Sequence, residues 1–193
     1  MSGDKIVFKK FLVLSLLLGS AAAYAQVSPS ASGGTSSVWV GGEFSNFNPD
    51  YARSRLNGVG VFADYNLTPK LGAEGEARWL HWSGDGGEKE SNYLAGVKYR
   101  IYKWNRFGFN AKFLLGGVWI TYPPLQPISS GSYFAYVPGG FVDYRISQRL
   151  SVRGDYEYQL LPSAPGKNPV FPSNGLTPNG FSVGVAYRLF GAR

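Results

Sequence analysis

Residues 150–161 read LSVRGDYEYQLL, and apolar and polar side chains alternate along the whole stretch. Leu150, Val152 and Tyr156 belong to a set that is apolar, aromatic or small, whereas Arg153 and Glu157 belong to a polar set. Because a β-strand points successive side chains to opposite faces, the stretch predicts a strand with one apolar and one charged face. The charged face would meet solvent in a soluble sandwich, or the lumen of a membrane barrel whose apolar face contacts lipid.

The same alternation recurs along the chain and predicts eight strands in all. They are residues 36–47, 56–67, 71–82, 91–102, 107–120, 132–146, 150–161 and 179–190. A tilted strand needs roughly 9–11 residues to cross a bilayer, whereas strands of soluble proteins have about 5–6. The length of the segments therefore favours a membrane barrel over a soluble sandwich.

The connections between the predicted strands are alternately long and short. Tight turns are expected at residues 68–69, 103–106 and 147–149, and longer polar connections around residues 48–55, 83–90, 121–131 and 162–178. Short periplasmic turns and long external loops are typical of outer-membrane barrels. The sequence thus predicts an all-β fold over residues 36–190, an eight-stranded antiparallel up-and-down transmembrane β-barrel. Pro138-Gly139-Gly140 interrupts the sixth strand and predicts a bulge or a local break in pairing.

The first residues have the composition of a cleavable signal peptide. Lys5, Lys9 and Lys10 precede the apolar run of residues 11–19, and Ala23-Tyr24-Ala25 is a small-x-small cleavage site. The apolar run is too short for a spanning helix, which needs about 20 residues. We expect residues 1–25 to be the signal peptide and residues 26–35 to be a flexible leader.

Charged residues on the polar faces are balanced between acids and bases. A lumen shielded from water favours such balance, because unpaired buried charge is costly, and an eight-stranded barrel is narrow enough for side chains to fill. Chance balance on a solvated sheet is the alternative interpretation. The expected lumen charge network is Glu43, Asp64, Glu74, Glu76, Arg78, Lys98, Arg100, Lys112, Asp143, Arg145, Arg153, Asp155, Glu157 and Arg188. The ion pairs expected between adjacent strands are Glu74 or Glu76 with Lys98 or Arg100, and Asp155 or Glu157 with Arg145 or Arg188.

The remaining positive charge is assigned to the tight turns and the C-terminal residue. These bases are Lys70, Lys103, Arg106, Arg149 and Arg193, and we do not expect them to form one patch. A nucleic-acid partner is therefore not expected, although the isoelectric point is about 9.6. Aromatic residues near the strand ends are expected to form membrane-interface girdles. They are Tyr65, Trp79, Tyr93, Tyr99, Phe107, Tyr133, Tyr144, Tyr158, Phe181 and Tyr187.

With these features the chain resembles the small outer-membrane β-barrel family, of the OmpA-like transmembrane domain type. The resemblance rests on the signal ending at Ala25, the alternating segments, and a final strand that carries Phe181, Val183, Val185, Tyr187 and Leu189-Phe190. It implies a place in the outer membrane, contact with membrane lipid and lipopolysaccharide, and recognition of the last strand by the barrel assembly machinery. We also expect a monomer. The residues Gly191-Ala192-Arg193 after that strand depart from the family's pattern.

Three functions are compatible with such a barrel. The preferred hypothesis is a structural or surface-interaction barrel without catalytic activity, and the second is a small solute channel. The third is a lipid A deacylase-like hydrolase, because His81 and Ser83 resemble the His/Ser pair of that family, with Glu88 or Glu90 to orient the imidazole. With one His and no Cys, no cofactor or metal cluster is expected.

Overall fold

The computed structural model describes residues 36–51, 54–81, 87–122, 130–165 and 174–191. The expected signal peptide and leader lie outside these residues. Ten β-strands are found in the described part of the chain: β1 (Ser37–Asn48), β2 (Leu56–Asn66), β3 (Leu71–His81), β4 (Lys89–Trp104), β5 (Phe107–Thr121), β6 (Ser130–Arg145), β7 (Leu150–Tyr158), β8 (Leu161–Pro165), β9 (Asn174–Leu176) and β10 (Asn179–Gly191). None of these residues forms a helix long and apolar enough to cross a membrane.

Eight of the strands close into an antiparallel barrel in the order β1-β10-β7-β6-β5-β4-β3-β2. Pairing between β1 and β10 closes it, from Ser37↔Gly191 at one end to Asn48↔Asn179 at the other. The expected all-β, eight-stranded antiparallel fold is confirmed. We call the end that carries the turns at residues 67–70, 105–106 and 146–149 the tight-turn end, and the opposite end the external end.

The connection between β7 and β10 contains a hairpin that the alternation did not predict. β7 stops at Tyr158, and Leu161–Pro165 pairs with Asn174–Leu176 in a separate two-stranded sheet. An isolated bridge between Tyr136 and Leu160 attaches the base of the hairpin to β6. The hairpin is therefore held against the external end of the barrel wall.

The break expected in the sixth strand is present on one side of β6 only. β6 pairs with β5 without interruption, including Phe113↔Pro138. On the other side, β6 pairs with β7 from Gly139↔Glu157 to Arg145↔Ser151. Before Pro138 in the sequence, the isolated bridge between Tyr136 and Leu160 continues this pairing. Pro138 lacks the N–H that a ladder hydrogen bond requires, so it interrupts this ladder without shifting the register.

The outer surface of the barrel is apolar. Val61, Val97 and Val183 lie near the middle of their strands and are 50–57% exposed. At the external end, Trp79, Tyr93 and Trp119 pack edge to face with ring centroids 6.2 and 5.4 Å apart. An exposed apolar band of this extent matches the lipid-facing surface of a membrane barrel.

Tyr133 is an exception among the aromatic residues expected in the girdles. Its side chain packs against the buried core, and its hydroxyl accepts a hydrogen bond from Tyr122 at 3.1 Å. Strand alternation explains the error, since Tyr133 shares the inward face of β6 with Ala135 and Val137.

Inside the external end the barrel has a hydrophobic core. Its buried residues come from the barrel wall, from the connections that follow β1 and β5, and from the β8–β9 hairpin: Phe47, Tyr51, Leu56, Leu80, Leu94, Leu114, Val118, Ile120, Tyr122, Ala135, Val137, Leu161, Ala164 and Leu176. Because both faces of the wall are apolar here, these strand ends lack the alternation of apolar and polar residues seen along the rest of the strands. We call this set the external core.

Candidate functional site: the charged interior of the barrel

Charged side chains fill the interior below the external core because they occupy the inward positions of the strands. Glycines on the same face leave room for them. A Cβ on Gly60 would come within 3.0 Å of Glu43 Oε1, and one on Gly139 within 3.3 Å of both Glu157 Cγ and Lys112 Cε. The lack of a side chain at these positions lets long ionic side chains extend into the lumen.

Arg78 lies at one centre of the network and is fully buried. Its Nη2 is 3.2 Å from Glu43 Oε1 and its Nη1 is 2.9 Å from Glu157 Oε2, and Nη2 also contacts Glu76. These three carboxylates come from β1, β7 and β3. One guanidinium thus joins three strands of the wall.

Lys112 on β5 is a second centre. Its ammonium nitrogen lies 3.0 Å from Glu74 Oε1, 3.4 Å from Glu76 Oε2, 2.6 Å from Asp155 Oδ2 and 2.6 Å from Glu157 Oε1. The Lys112 side chain is fully buried, and each of the four carboxylates is at most 2% exposed. Lys112 therefore connects β3 and β7 through a single charge.

Arg153 on β7 is the third centre and lies nearer the tight-turn end. Its Nη2 is 2.6 Å from Asp64 Oδ2, its Nη1 is 3.0 Å from Glu74 Oε2, and its Nε is 3.0 Å from Asp143 Oδ1. Lys98 Nζ also lies 2.6 Å from Asp64 Oδ2. Asp143 is the most accessible acid of this group, with 22% of its side chain exposed.

Aromatic rings cover the faces of the two buried guanidinium groups. The Arg153 guanidinium carbon lies 3.8 Å from the centroid of Phe141 and 4.2 Å from that of Phe62. Arg78 lies 4.3 Å from the ring of Phe47. The fork of each arginine is thus paired with carboxylates while its planar faces stack on rings.

The fourteen residues expected in the lumen network divide into two groups. All seven acids pair with four of the bases, Arg78, Lys98, Lys112 and Arg153. The pairing expected with Lys98, Arg100 and Arg145 is wrong. Glu74, Asp155 and Glu157 form their salt bridges across the lumen, whereas Glu76 pairs with Lys112 and with Arg78 of its own strand. Within the described residues, Arg100 and Arg145 form no salt bridge with these acids. Together with Arg188 they line a cavity at the tight-turn end.

This cavity has a volume of about 210 Å³. The turn residues Lys103 and Arg106 line it together with the three strand arginines, so the expectation that the surplus bases form no patch is wrong for these two. The charges of the interior are therefore separated along the barrel axis. The middle has more carboxyl groups than cations, and the tight-turn end has more cations.

At the other end of the network, Glu90 lies between the charged interior and the external core. It is fully buried, accepts a hydrogen bond from Asn92 at 3.1 Å and one from the Tyr51 hydroxyl at 3.5 Å. Burial, with the nearby Glu90 carboxylate, raises the pKa of Tyr51 above its usual value. Sequence reasoning placed Glu90 in a loop, whereas it is the second residue of β4 and points inward.

The residues named for a deacylase-like site are not assembled in the described part of the chain. His81 is exposed at the last position of β3, and Ser83 lies outside the described residues. Glu90 belongs to the inward face, opposite to that of His81, and the largely buried Glu88 forms no hydrogen bond with the imidazole. Neither acid is placed to orient His81. No group of acids and histidines within the described residues is arranged to hold a metal ion.

The sequence and the fold were each compared with known proteins. A family described as the outer membrane protein beta-barrel domain matches residues 11–188. The structure is similar to neisserial surface protein A, with a TM-score of 0.60 and 10% identity over 79% of this chain and 96% of that chain. It is similar to Ail, the attachment invasion locus protein of Yersinia pestis, in complex with the heparin analogue sucrose octasulfate, with a TM-score of 0.52 and 18% identity over 81% and 99% of the two chains. It is also similar to OprG from Pseudomonas aeruginosa, with a TM-score of 0.51 and 13% identity over 82% of this chain and 97% of that chain.

No curated protein matches the sequence. At such low identities the structural likenesses establish a shared fold and no shared activity. The family match, which covers most of the chain, confirms the resemblance drawn from the alternating strands.

Proposed function

Since the chain belongs to the outer membrane protein beta-barrel domain family, we propose that it is a structural and surface-interaction barrel that conducts no solute and catalyses no reaction. Its location is the cell outer membrane. The barrel would contact membrane lipid and lipopolysaccharide through its apolar band, fold through recognition of β10 by the barrel assembly machinery, and act as a monomer.

The observation that carries the proposal is the filling of the lumen by paired charges. Arg78 and Arg153 lie in the interior that a solute would have to cross, and both are at most 2% exposed. A channel requires a continuous wet path, and opening one here would separate buried ion pairs, which is costly. An interior filled in this way supports a static barrel over a pore.

The external core supports the surface-interaction part of the proposal. Leu161 and Leu176 anchor the β8–β9 hairpin in this core. Asp50 Oδ2 accepts hydrogen bonds from both the backbone nitrogen and the hydroxyl of Thr177 at 3.0 Å, and these tie the first connection to the last. Connections fixed to a rigid core present a preorganised surface, which lowers the entropic cost of binding a partner.

The Ail structure contains a sulfated heparin analogue, and the external charges of this chain bear on whether the barrel would bind a similar ligand. Among the described residues at the external end, the bases Arg55 and Lys89 are matched by the acids Asp50 and Glu88. Sulfated ligands favour clusters of uncompensated bases. We therefore propose a surface partner recognised without such a cluster, and not a sulfated glycan.

Electrical recordings in planar bilayers test the proposal. The wild-type protein, extracted from outer membranes in its heat-modifiable folded form, is expected to give no conductance steps above the bilayer background. An open porin in the same lipid is the positive control. Reproducible steps from the wild-type protein that scale with salt concentration would contradict the proposal and favour the channel.

A further inference from the structure

The cavity at the tight-turn end concentrates positive charge that the ion-pair network does not use. Two carboxylates, Asp64 and Asp143, line it within the described residues, and both already pair with Arg153. Lys98 adds a second cation to Asp64 at 2.6 Å. The acids on the cavity wall are thus already matched by at least as many cations.

Five further bases line the same cavity. They are Arg100, Lys103, Arg106, Arg145 and Arg188. Among the described residues, no carboxylate lies within ion-pair distance of Arg100, Lys103, Arg106 or Arg145. Like charges gathered around one partly enclosed space repel each other, and an anion between them relieves the repulsion.

Arg100 shows that this site has unused hydrogen-bonding capacity. Its Nη1 donates to the Pro69 carbonyl at 3.0 Å, which fixes the side chain against the turn between β2 and β3. Its Nε is buried and has no hydrogen-bond partner within the described residues. A buried guanidinium N–H without an acceptor is costly, and a bound oxyanion would supply the missing acceptor.

We propose that the tight-turn cavity binds a phosphate-type oxyanion, as inorganic phosphate or as the phosphate of a small phosphomonoester. Arginine forks match the tetrahedral oxygens of such a group, and their geometry favours it over a simple halide. The volume of about 210 Å³ holds a phosphate group and several waters, since each water takes up about 30 Å³. An adjoining groove lined by Arg106, Arg145 and Arg188 leaves room for the rest of an ester.

The placement of the cavity favours a soluble anion over a lipid headgroup. Trp39 and Ala186 on its wall are buried inward-facing residues, so the cavity lies inside the ring of strands and not on the lipid-facing surface. Tight turns of such barrels face the periplasm. The ligand would therefore reach the site from the periplasmic solution.

Calorimetric titration of the barrel in nanodiscs of zwitterionic phosphatidylcholine tests the proposal. Sodium phosphate is added at constant ionic strength, with sodium chloride as the reference titration. The wild-type protein is expected to bind phosphate saturably. The double variant R100Q/R145Q is expected to lose about tenfold or more in affinity, since each arginine contributes charge-assisted hydrogen bonds.

The matched control is K70Q/R149Q, which removes the same charge from the same end of the barrel but from residues that do not line the cavity. This control is expected to change the affinity less than about twofold, because both side chains are exposed and their charges are screened by solvent and salt. If the double variant fails the heat-modifiability test for folding, the single variant R100Q replaces it, with an expected loss of at least threefold.

Three outcomes would overturn the proposal. They are a wild-type titration that matches chloride, equal losses in the cavity and control variants, and binding that requires phosphatidylglycerol in the nanodisc while free phosphate has no effect. The last outcome would assign the site to a lipid headgroup.

Discussion

Arg78 and Glu157 join opposite walls of the barrel. The Arg78 Nη1 lies 2.9 Å from Glu157 Oε2, and neither side chain is more than 1% exposed. β3 and β7, which carry them, are separated by three strands on either side of the closed sheet. The contact therefore spans the full width of the lumen, and its two partners come from the strands that are farthest apart in the ring.

Removing the Arg78 charge is expected to destabilise the barrel strongly. In Arg78→Ala, Glu43, Glu76 and Glu157 lose a buried cation, and breaking a buried pair from one side costs about 3–5 kcal/mol. Urea unfolding of the protein folded into lipid vesicles, followed by tryptophan fluorescence, measures the change. Arg55→Ala is the control, because Arg55 is exposed and its polar contacts are worth about 1 kcal/mol or less. Equal unfolding midpoints for the two variants would contradict the assignment.

The substitution Arg153→Lys separates the contribution of shape from that of charge. Lysine keeps the positive charge beside Asp64 and Glu74 but loses the planar group that stacks between Phe62 and Phe141. We expect a loss of about 2 kcal/mol, the size of a desolvated cation–π contact. The same urea assay measures it, and a variant as stable as the wild type would show that charge alone suffices.

The alternating pattern predicted the barrel because each strand has one lipid-facing and one inward face. The pattern also identified which charged side chains point inward. It does not show whether an inward side chain joins the ion-pair network or lines the cavity at the tight-turn end. Arg145 and Arg153 are both on inward faces, yet one lies at the cavity and the other in the network. Which acid pairs with which base depends on how the ring of strands closes. Pairing residues of adjacent strands therefore did not predict the observed salt bridges.

The external core was missed because alternation disappears where both faces are apolar. Residues 113–120 read FLLGGVWI, in which inward Leu114 and Val118 are as hydrophobic as outward Phe113 and Trp119. The β8–β9 hairpin was missed for a related reason. Both of its strands are short, and β8 contains Pro162 and Pro165, residues that argue against a strand when only the sequence is considered.

The link between Asp50 and Thr177 is expected to control the motion of the external connections. Thr177→Val removes the hydroxyl hydrogen bond but retains the backbone one, a change of about 0.5–1.5 kcal/mol. Amide hydrogen exchange should become faster in β9 and in the first connection and remain unchanged in β5. Uniform exchange rates across wild type and variant would show that the link does not hold the surface.

His81 is expected to be dispensable for lipid chemistry. Its imidazole is on the outward face, while Glu90 points inward to Tyr51 and Asn92. Mass analysis of lipid A from cells that express the wild type, His81→Ala or Ser83→Ala should give identical acylation patterns. A lipid A species lacking one acyl chain, seen with the wild type and absent with both variants, would establish the hydrolase instead.

Cysteine accessibility tests the closed interior most directly, because the natural chain contains no cysteine. Ser45 is fully buried beside Ser182, with hydroxyl oxygens 2.7 Å apart, whereas Ser37 lines the cavity at the tight-turn end. A water-soluble thiol reagent should label Ser37→Cys rapidly and leave Ser45→Cys unlabelled until the barrel is unfolded. Rapid labelling of Ser45→Cys in the folded protein would mean that water passes through the lumen, and would contradict the account of a barrel closed by its own charges.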